Sequence, residues 1–533
     1  MPFAFSPKGV RPSLYTLFEL YNGKNSADEI LYHNLLIYIN QNNTLFVKPC
    51  NIGYSDEKFI ELKDRFNKKL LDINPYYRDH KIIEKGGYYT IESYYCSTEN
   101  VILSAKGLSK TENIQVNSDY SENNILSEIQ KDILRRSLVK SSIALVTGAA
   151  GTGKTTVIKE FIKNNADKRI LCLTTTNTAN NNLKIKDFAG NMTYKNISQF
   201  EQEREHDFYD IIIVDEASFV STESIERIIR IYRKSAFIFV GDPEQIESIE
   251  FGNWFDLLLN LLKKENVVFA LDVEHRTKVD ALCKVWNAVR QGKRKNILEL
   301  LSAFEMMEKI NDEIFKVQDN EVVLCLNYDG LYGINNINRY LQATNSHTAY
   351  EYQQNLYKVD DPVVFITNDY SANGIYNNLG GKIVEIKNDT ESITFKIKLF
   401  DTLNYVGKLS SEIEIVEEDS EFYAVVNKMK YYNDKYDTDM DIRTKLPFQI
   451  SYAMSIHKAQ GLEFDSVKIV ITKETDEQIT KNIFYTAVTR AKKKLKIYWQ
   501  PEVANYVLGN IENCNDSKAV DLSILSEQLK AYF

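Results

Sequence analysis

At 533 residues, 44% hydrophobic and 26% charged, the chain is too long for a single hydrophobic core and carries apolar material for about three or four. A net charge of −9 excludes a protein that coats nucleic acid through its overall field, so any strand groove must be local, drawing on Lys184, Lys186 and Lys195 or on Lys492, Lys493, Lys494 and Lys496. The six cysteines, Cys50, Cys96, Cys172, Cys283, Cys325 and Cys514, include no C-x-x-C pair and no histidine at zinc spacing, which excludes a zinc module and leaves reduced thiols.

No charged leader precedes an apolar run at Met1–Ser6, and no later apolar stretch approaches the ~20 residues that cross a bilayer, so a cytoplasmic location without membrane contact is expected. Residues 1–105 mix short helical and strand-like pieces and read as a small α+β accessory domain. The doublets Tyr76–Tyr77, Tyr88–Tyr89 and Tyr94–Tyr95 would straddle a strand, half of each in the core and half exposed to stack on a base or dock a partner. Asp79 and Glu84 lack the E-x-K spacing of a metal-dependent nuclease. From 106 to 124 the chain turns polar, as a linker does.

In Ile125–Leu134 apolar residues recur at helical spacing, with Ser127 placed to cap the first turn. Beyond it, short apolar runs at Ile143–Thr147, Ile170–Thr174, Ile211–Val214 and Phe237–Val240 alternate with helical stretches. Such buried strands belong to a parallel sheet covered on both faces, which predicts a first α/β lobe over 125–264. A second series, with strands at Val322–Leu326, Val467–Ile471 and Leu495–Trp499, predicts a second lobe over 265–357 and 440–510. Between its two halves, period-two alternation in Gly381–Ile386 and Ser392–Ile397 predicts a small antiparallel β-barrel, SH3-like, or sheet over 358–439. Residues 511–533 are expected to form a tail helix.

The segment Gly148, Ala149, Ala150, Gly151, Thr152, Gly153, Lys154, Thr155 satisfies G-x-x-x-x-G-K-[ST], and it follows an apolar strand and precedes a helix. Glycines let backbone N–H groups curl around phosphate oxygens, the helix adds its positive end, and Lys154 sets a point charge on the β and γ oxygens of ATP. Thr155 would hold Mg²⁺, with Thr156 beside it on the nucleotide side. At the end of the run Asp210–Val214 stand Asp215 and Glu216. Asp215 would bind the Mg²⁺ shell and Glu216 would orient and deprotonate the attacking water.

Further motifs give the chain a resemblance to superfamily 1 helicases over about Gln130 to Tyr498. Gln130 resembles the glutamine that reads the adenine edge, and Gly241-Asp242-Pro243-Glu244-Gln245 looks like G-D-x-x-Q, which makes Gln245 the expected γ-phosphate sensor. Leu271–Thr277 and Asn482–Ala491 resemble the motifs that supply arginines across the cleft, here Arg276 and Arg490. Cations from the second lobe would tie hydrolysis to lobe closure. The stretch Ser451–Asp465 resembles the motif linking strand contacts to the nucleotide, with Ser455, His457 and Lys458 toward phosphates of the strand and Gln460, Gly461 and Glu463 toward the nucleotide. Thr174–Ala179 and Ile197–Phe200 take the places of two strand-gripping loops, contributing Thr175, Asn177 and Phe200. The resemblance implies two RecA-like lobes, ATP and Mg²⁺ as cofactors, and single-stranded DNA as partner, with RNA left open.

Two departures qualify the resemblance. Ile246–Gly252 matches neither the Leu-Pro-Pro of RecD-like members nor the aromatics of UvrD-like ones; Leu462-Glu463-Phe464 looks UvrD-like, while Tyr452–Gly461 and the β-rich insert favour the RecD-like, 5′ to 3′ side. The stretch from Ala179 to Asp210 is short for the hairpin that RecD-like helicases use as a duplex-splitting wedge. A translocase is therefore a safer expectation than a helicase, and an ATP switch recruiting a nuclease or other effector through the N-terminal domain is the competing expectation.

Overall fold

The structure is a computed structural model, and it describes residues 26–72, 80–112, 114–121, 123–185, 191–248, 250–271, 279–318, 320–367, 375–401, 403, 405–430, 445–473, 479–513 and 516–532. Tyr76, Tyr77, Lys186, Arg276 and Cys514 lie outside the described residues.

Helices Ala27–Asn42, Asp56–Asp72 and Glu92–Ser109 surround a hairpin of β1 (Ile82–Lys85) and β2 (Tyr88–Ile91). The first helix starts where Glu29 accepts from the Ser26 N–H at 3.0 Å, and it ends at Asn43, whose left-handed φ of 44° an asparagine tolerates. Tyr88 and Tyr89 alternate as strand residues do, Tyr89 buried and Tyr88 half-buried. The Tyr94–Tyr95 doublet is instead helical. Tyr95 is buried, and Tyr94 stacks on Phe251 with ring centroids 5.3 Å apart.

That stacking is part of a larger departure from the expected organisation. The helix Glu92–Ser109 runs through residue 105 and packs on the helix Thr222–Ile231 of the first lobe. Leu35, Phe59, Phe66 and Val101 share one core with Leu145, Ile225, Ile228 and Trp254, and with Leu525 of the C-terminal helix Asp516–Gln528. The accessory segment thus has no separate core. The polar stretch after it is irregular yet pinned: Ile114, Val116 and Tyr120 pack on the first lobe, and the Asn117 N–H donates to Asn165 Oδ1 at 2.7 Å.

The first lobe is a six-stranded parallel sheet of β3 (Ile143–Gly148), β4 (Ile170–Thr174), β5 (Met192–Asn196), β6 (Ile211–Val214), β7 (Ala236–Gly241) and β8 (Val268–Leu271), ordered β5-β4-β6-β7-β3-β8. Its central strands β4, β6 and β7 are buried along their whole length, as a sheet covered on both faces requires. Because β8 pairs with β3 from Leu145–Val268 to Gly148–Leu271, this lobe extends past residue 264, where the sequence pattern placed its end.

The second lobe is a five-stranded parallel sheet, β20-β10-β21-β22-β9, of β9 (Met307–Glu308), β10 (Glu321–Cys325), β20 (Ala453–Ser455), β21 (Phe464–Val470) and β22 (Ala491–Tyr498). Ahead of its insert comes a small hairpin, β11 (Tyr350–Tyr352) and β12 (Asn355–Tyr357). The insert is one seven-stranded antiparallel sheet of β13 (Pro362–Phe365), β14 (Gly380–Asn388), β15 (Ser392–Leu399), β16 (Gly407–Lys408), β17 (Ile413–Glu418), β18 (Glu421–Met429) and β19 (Phe448–Ile450). Along β15 the buried residues are Ile393, Phe395, Ile397 and Leu399, the period of two expected for one covered face. In β14 a bulge between Ile383 and Glu385 shifts the register, so Ile383 and Ile386 both face the core. The insert reaches beyond residue 439, since β19 pairs with β13 and leads within two residues into β20.

One carboxylate joins the N-terminal segment, the first lobe and the C-terminal helix. Asp521 is 0% exposed and accepts from Leu45 N at 2.7 Å, Phe46 N at 3.0 Å, Thr44 Oγ1 at 3.0 Å and Asn253 Nδ2 at 2.8 Å. Each buried donor left dry costs about 1–3 kcal/mol, so Asp521→Ala is expected to destabilise the first unfolding transition by at least about 3 kcal/mol. Urea titration followed by tryptophan fluorescence checks this, and a wild-type midpoint for the variant would remove Asp521 as the joint.

Candidate nucleotide and strand site

The phosphate loop links β3 to the helix Lys154–Asn164. Its glycines are sterically required: a Cβ on Gly148 would stand 2.6 Å from Thr152 Oγ1, and Gly151 and Gly153 hold φ of 82° and 81°. Lys154 Nζ lies over the loop, donating to Gly148 O at 2.7 Å and Ala149 O at 3.0 Å. Ser127 and Gln130 form the capping box of the helix Glu128–Arg136, and the Gln130 Nε2 also donates to Thr152 O at 3.3 Å. Gln130 is thereby set against the loop, and Thr155 and Thr156 are half-buried on the helix's first turn.

Asp215 and Glu216 stand at the carboxyl end of β6. Glu216 has a left-handed φ of 52°, uncommon for a residue with a Cβ, and its N–H donates to Asp215 Oδ1 at 2.9 Å while its own Oε2 accepts from Thr175 Oγ1 at 3.1 Å. Burial first, and then the neighbouring Glu216 charge, push the Asp215 carboxyl up to about 7, against the pull of Lys154. A divalent cation here would relieve both effects. Among the described residues no group of three or more His, Cys, Asp or Glu side chains converges as a protein-only metal cage. One buried carboxylate plus the Thr155 hydroxyl is a hard-oxygen set suited to Mg²⁺, which usually completes its shell with water and substrate phosphates.

Polar groups of the second lobe meet these elements across the cleft. The helix Lys481–Val488 sends Asn482 Nδ2 to Pro243 O at 3.2 Å and Gln245 O at 2.8 Å, Thr486 Oγ1 to Ile246 N at 2.9 Å, and Lys481 to Glu244 at 2.7 Å. From the same helix, Tyr485 Oη accepts from the phosphate-loop Ala150 N at 3.4 Å. Gly461, at φ 73°, brings the Ser451–Asp465 stretch against Glu216: a Cβ there would lie 3.9 Å from Glu216 Oε1. Arg490 is 2% exposed and braces that turn, donating from Nη1 to Leu462 O at 3.2 Å and from Nε to Thr486 O at 2.9 Å. Glu463 pairs with Lys492 at 3.0 Å.

Sequence reading passed over two residues here. Arg290, at the end of the helix Asp280–Gln291, reaches from the second lobe to Asp242, 3.6 Å away, whose buried Oδ2 has no hydrogen-bond partner among the described residues. Tyr485 sits inside a motif that was read for its arginine. No spacing marks Arg290, since a basic residue in a helix's last turn is ordinary; the phenol of Tyr485 is notable only once Ala150 is beside it.

The expected strand contacts divide. Phe200 is 0% exposed, its ring packed beside His206 and Tyr232 at 4.6 and 5.9 Å, so it is a core residue and offers no face to a base. Asn177 bonds Asn196 at 2.8 Å. Ser455 is buried and caps the Lys458 N–H at 3.1 Å, leaving His457 exposed and Lys458 half-buried beyond β20. Lys458 Nζ stands 6.0 Å from the ring of Tyr328, itself 46% exposed, an aromatic and a cation side by side that no motif announced. Among the described residues of the basic runs, Lys492, Lys493 and Lys496 pair with Glu463, Asp465 and Glu308, and Lys195 pairs with Glu203, so these four charges are answered within the protein.

Two family models match the chain, an AAA domain over residues 125–312 and a UvrD-like helicase C-terminal domain over 451–498. An uncharacterized protein of Methanocaldococcus jannaschii is 25% identical, covering 70% of this chain and 38% of that protein. The RecBCD enzyme subunit RecD of Buchnera aphidicola is 22% identical over 72% of this chain and 75% of that subunit, and that of Mycolicibacterium smegmatis is 24% identical over 54% and 50%. The chain thus spans between 38% and 75% of the length of these relatives. Among solved structures, a Pif1 helicase from Bacteroides in complex with ADP-AlF3 and ssDNA superposes with a TM-score of 0.47 at 18% identity, covering 76% of this chain and 98% of that one. By the family models and the RecD relatives, the chain is similar to superfamily 1 helicases, on their RecD-like side.

Proposed function

We propose that the chain is an ATP-driven motor that moves 5′ to 3′ along single-stranded DNA. The observation that carries this is the cleft itself, where Gly461 faces Glu216 and Tyr485 reaches Ala150, so that the second lobe touches both the acid and the loop of the phosphate site. Phosphates on the loop would draw charge from Lys154 and from the amino end of its helix. Glu216, held by Thr175, takes the proton of the attacking water, while Gln245 reports the γ-phosphate to the helix Lys481–Val488 through Asn482. Mg²⁺ on Asp215 and Thr155 would supply positive charge to the β and γ oxygens. Arg490, and Arg276 from outside the described residues, are assigned the second lobe's positive charge, which would make turnover wait for closure.

On the strand side, His457, Lys458 and Tyr328 offer a cation and a stacking face without base reading, which suits a motor indifferent to sequence. Among the described residues from 179 to 210 there are only a helix end, β5 and the helix Ile197–Gln202, all parts of the lobe. Translocation is therefore the assigned activity.

ATP turnover is expected to rise on addition of single-stranded DNA, and Lys154→Ala is expected to remove at least about a hundredfold of it, because the loop loses its one point charge on the phosphates. Turnover indifferent to DNA would overturn the motor; turnover retained in Lys154→Ala would overturn the site. Glu216→Gln is expected to lower kcat by about 10²–10⁴-fold while ATP binding, read by a fluorescent analogue, persists, as loss of a general base predicts.

A further inference from the structure

The loop that carries the expected γ-phosphate sensor is held from a second side, by a part of the chain that neither family model reaches. Lys518, on the C-terminal helix Asp516–Gln528, pairs with Glu247, two residues beyond Gln245. Their side chains are 25% and 17% exposed. The ammonium also faces Asp256 on the helix Trp254–Leu261 and Glu244 on the loop, and these carboxylates raise its pKa. Three carboxylates, Glu244, Glu247 and Asp256, are thus served by two ammonium groups, since Lys481 of the second lobe takes Glu244.

The two cations stand on different supports. Lys481, with Asn482 and Thr486, belongs to the second lobe, so its hold on the loop moves whenever that lobe moves. Lys518 cannot follow it. Three residues further along its helix, Asp521 is fixed to the N-terminal segment and the first lobe by four hydrogen bonds. Without Lys518, Glu247 would lose its ion-pair partner beside the like charges of Asp256 and Glu244, and that repulsion would bear on the backbone that carries Gln245.

We propose that Lys518 is a positioning residue for ATP turnover: through Glu247 it keeps the Asp242–Glu247 loop on the first lobe while the helix Lys481–Val488 engages and releases, and so sets the place of Gln245. This rests on the motor reading above. It adds that the C-terminal helix, anchored on the accessory segment, is part of the coupling between strand and nucleotide.

The test uses the full chain with an oligodeoxythymidylate as the strand, measuring kcat and ATP KM with and without it for Lys518→Met, Glu247→Gln and Lys518→Arg. Lys518→Met and Glu247→Gln are expected to lower DNA-stimulated kcat about tenfold, with ATP KM and DNA-free turnover within about twofold of wild type, the size of one lost charge-assisted bond. Lys518→Arg keeps the charge and is expected to retain the stimulation ratio. A ratio within twofold of wild type in both neutral variants overturns the proposal. An equal loss of DNA-free and stimulated turnover overturns it too, since that marks a smaller folded fraction. Should Lys518→Met fail to fold, Glu247→Gln, an isosteric change on the other side of the pair, carries the test alone. Wild-type turnover that ignores the oligonucleotide is a separate failure, that of the motor reading, seen before any variant is compared.

Discussion

The order β4-β6-β7-β3 sets four strand ends side by side along the carboxyl edge of one sheet, and the site depends on that adjacency. Thr175 follows β4, Asp215 and Glu216 follow β6, Asp242 follows β7, and the phosphate loop follows β3. In an open parallel sheet the crossover helices leave this edge uncovered, so a ligand there meets backbone N–H groups and helix amino ends before any side chain is chosen. The sheet packing also explains the pKa of Asp215. A carboxyl at the end of a fully buried strand, beside a second carboxylate, is driven toward its neutral form unless a cation is bound.

Across the cleft the contacts are many and individually weak. Asn482 to Gln245 O, Thr486 to Ile246 N and Tyr485 to Ala150 N are neutral hydrogen bonds, each worth about 1 kcal/mol net. Charge-assisted bonds to phosphate are roughly twice as strong. A nucleotide on the loop can therefore outweigh this closed arrangement or reinforce it, and the lobes need no large interface of their own to be switched. Arg290 beside Asp242 adds a charged pair across the cleft, with one carboxylate oxygen still unpartnered among the described residues.

What was legible in the sequence was what is local in it. Phosphate loop, capped helix and paired acids each lie within a few residues of the strand or helix that positions them, so spacing alone finds them. Arg290, Lys518 and Tyr328 become meaningful only beside Asp242, Glu247 and Lys458, and nothing in one segment announces another far along the chain. Phe200 failed for the related reason that a motif position does not say which way a ring points. The lysines at 492–496 looked free because Glu463, Asp465 and Glu308, which neutralise three of them, come from other parts of the lobe. Tyr94 and Tyr95 were read with the period of a strand although they lie on a helix, and β8 was given to the wrong lobe because an edge strand's partner is not in its own sequence.

The cores gather the molecule into two bodies in a way the chain order does not suggest, with Ile246 of the first-lobe loop packed into the second lobe's cluster. N-terminal segment, first lobe and C-terminal helix share one cluster, whereas the insert is tied to the second lobe by β19 running into β20 and by Tyr452 Oη donating to the buried Asp361 at 2.8 Å. The chain passes between the bodies from Leu271 in β8 to Val279, packed on the second lobe, and returns from Ile511 in the second lobe's core to Lys518. The helices Pro501–Asn513 and Asp516–Gln528 carry most of the second crossing, so the bodies are joined at two places along the chain. On the motor reading, movement of the second lobe would carry Gly461 and Tyr485 on and off the phosphate site while Lys518, on the first body, holds the loop of Gln245 in place for the next nucleotide.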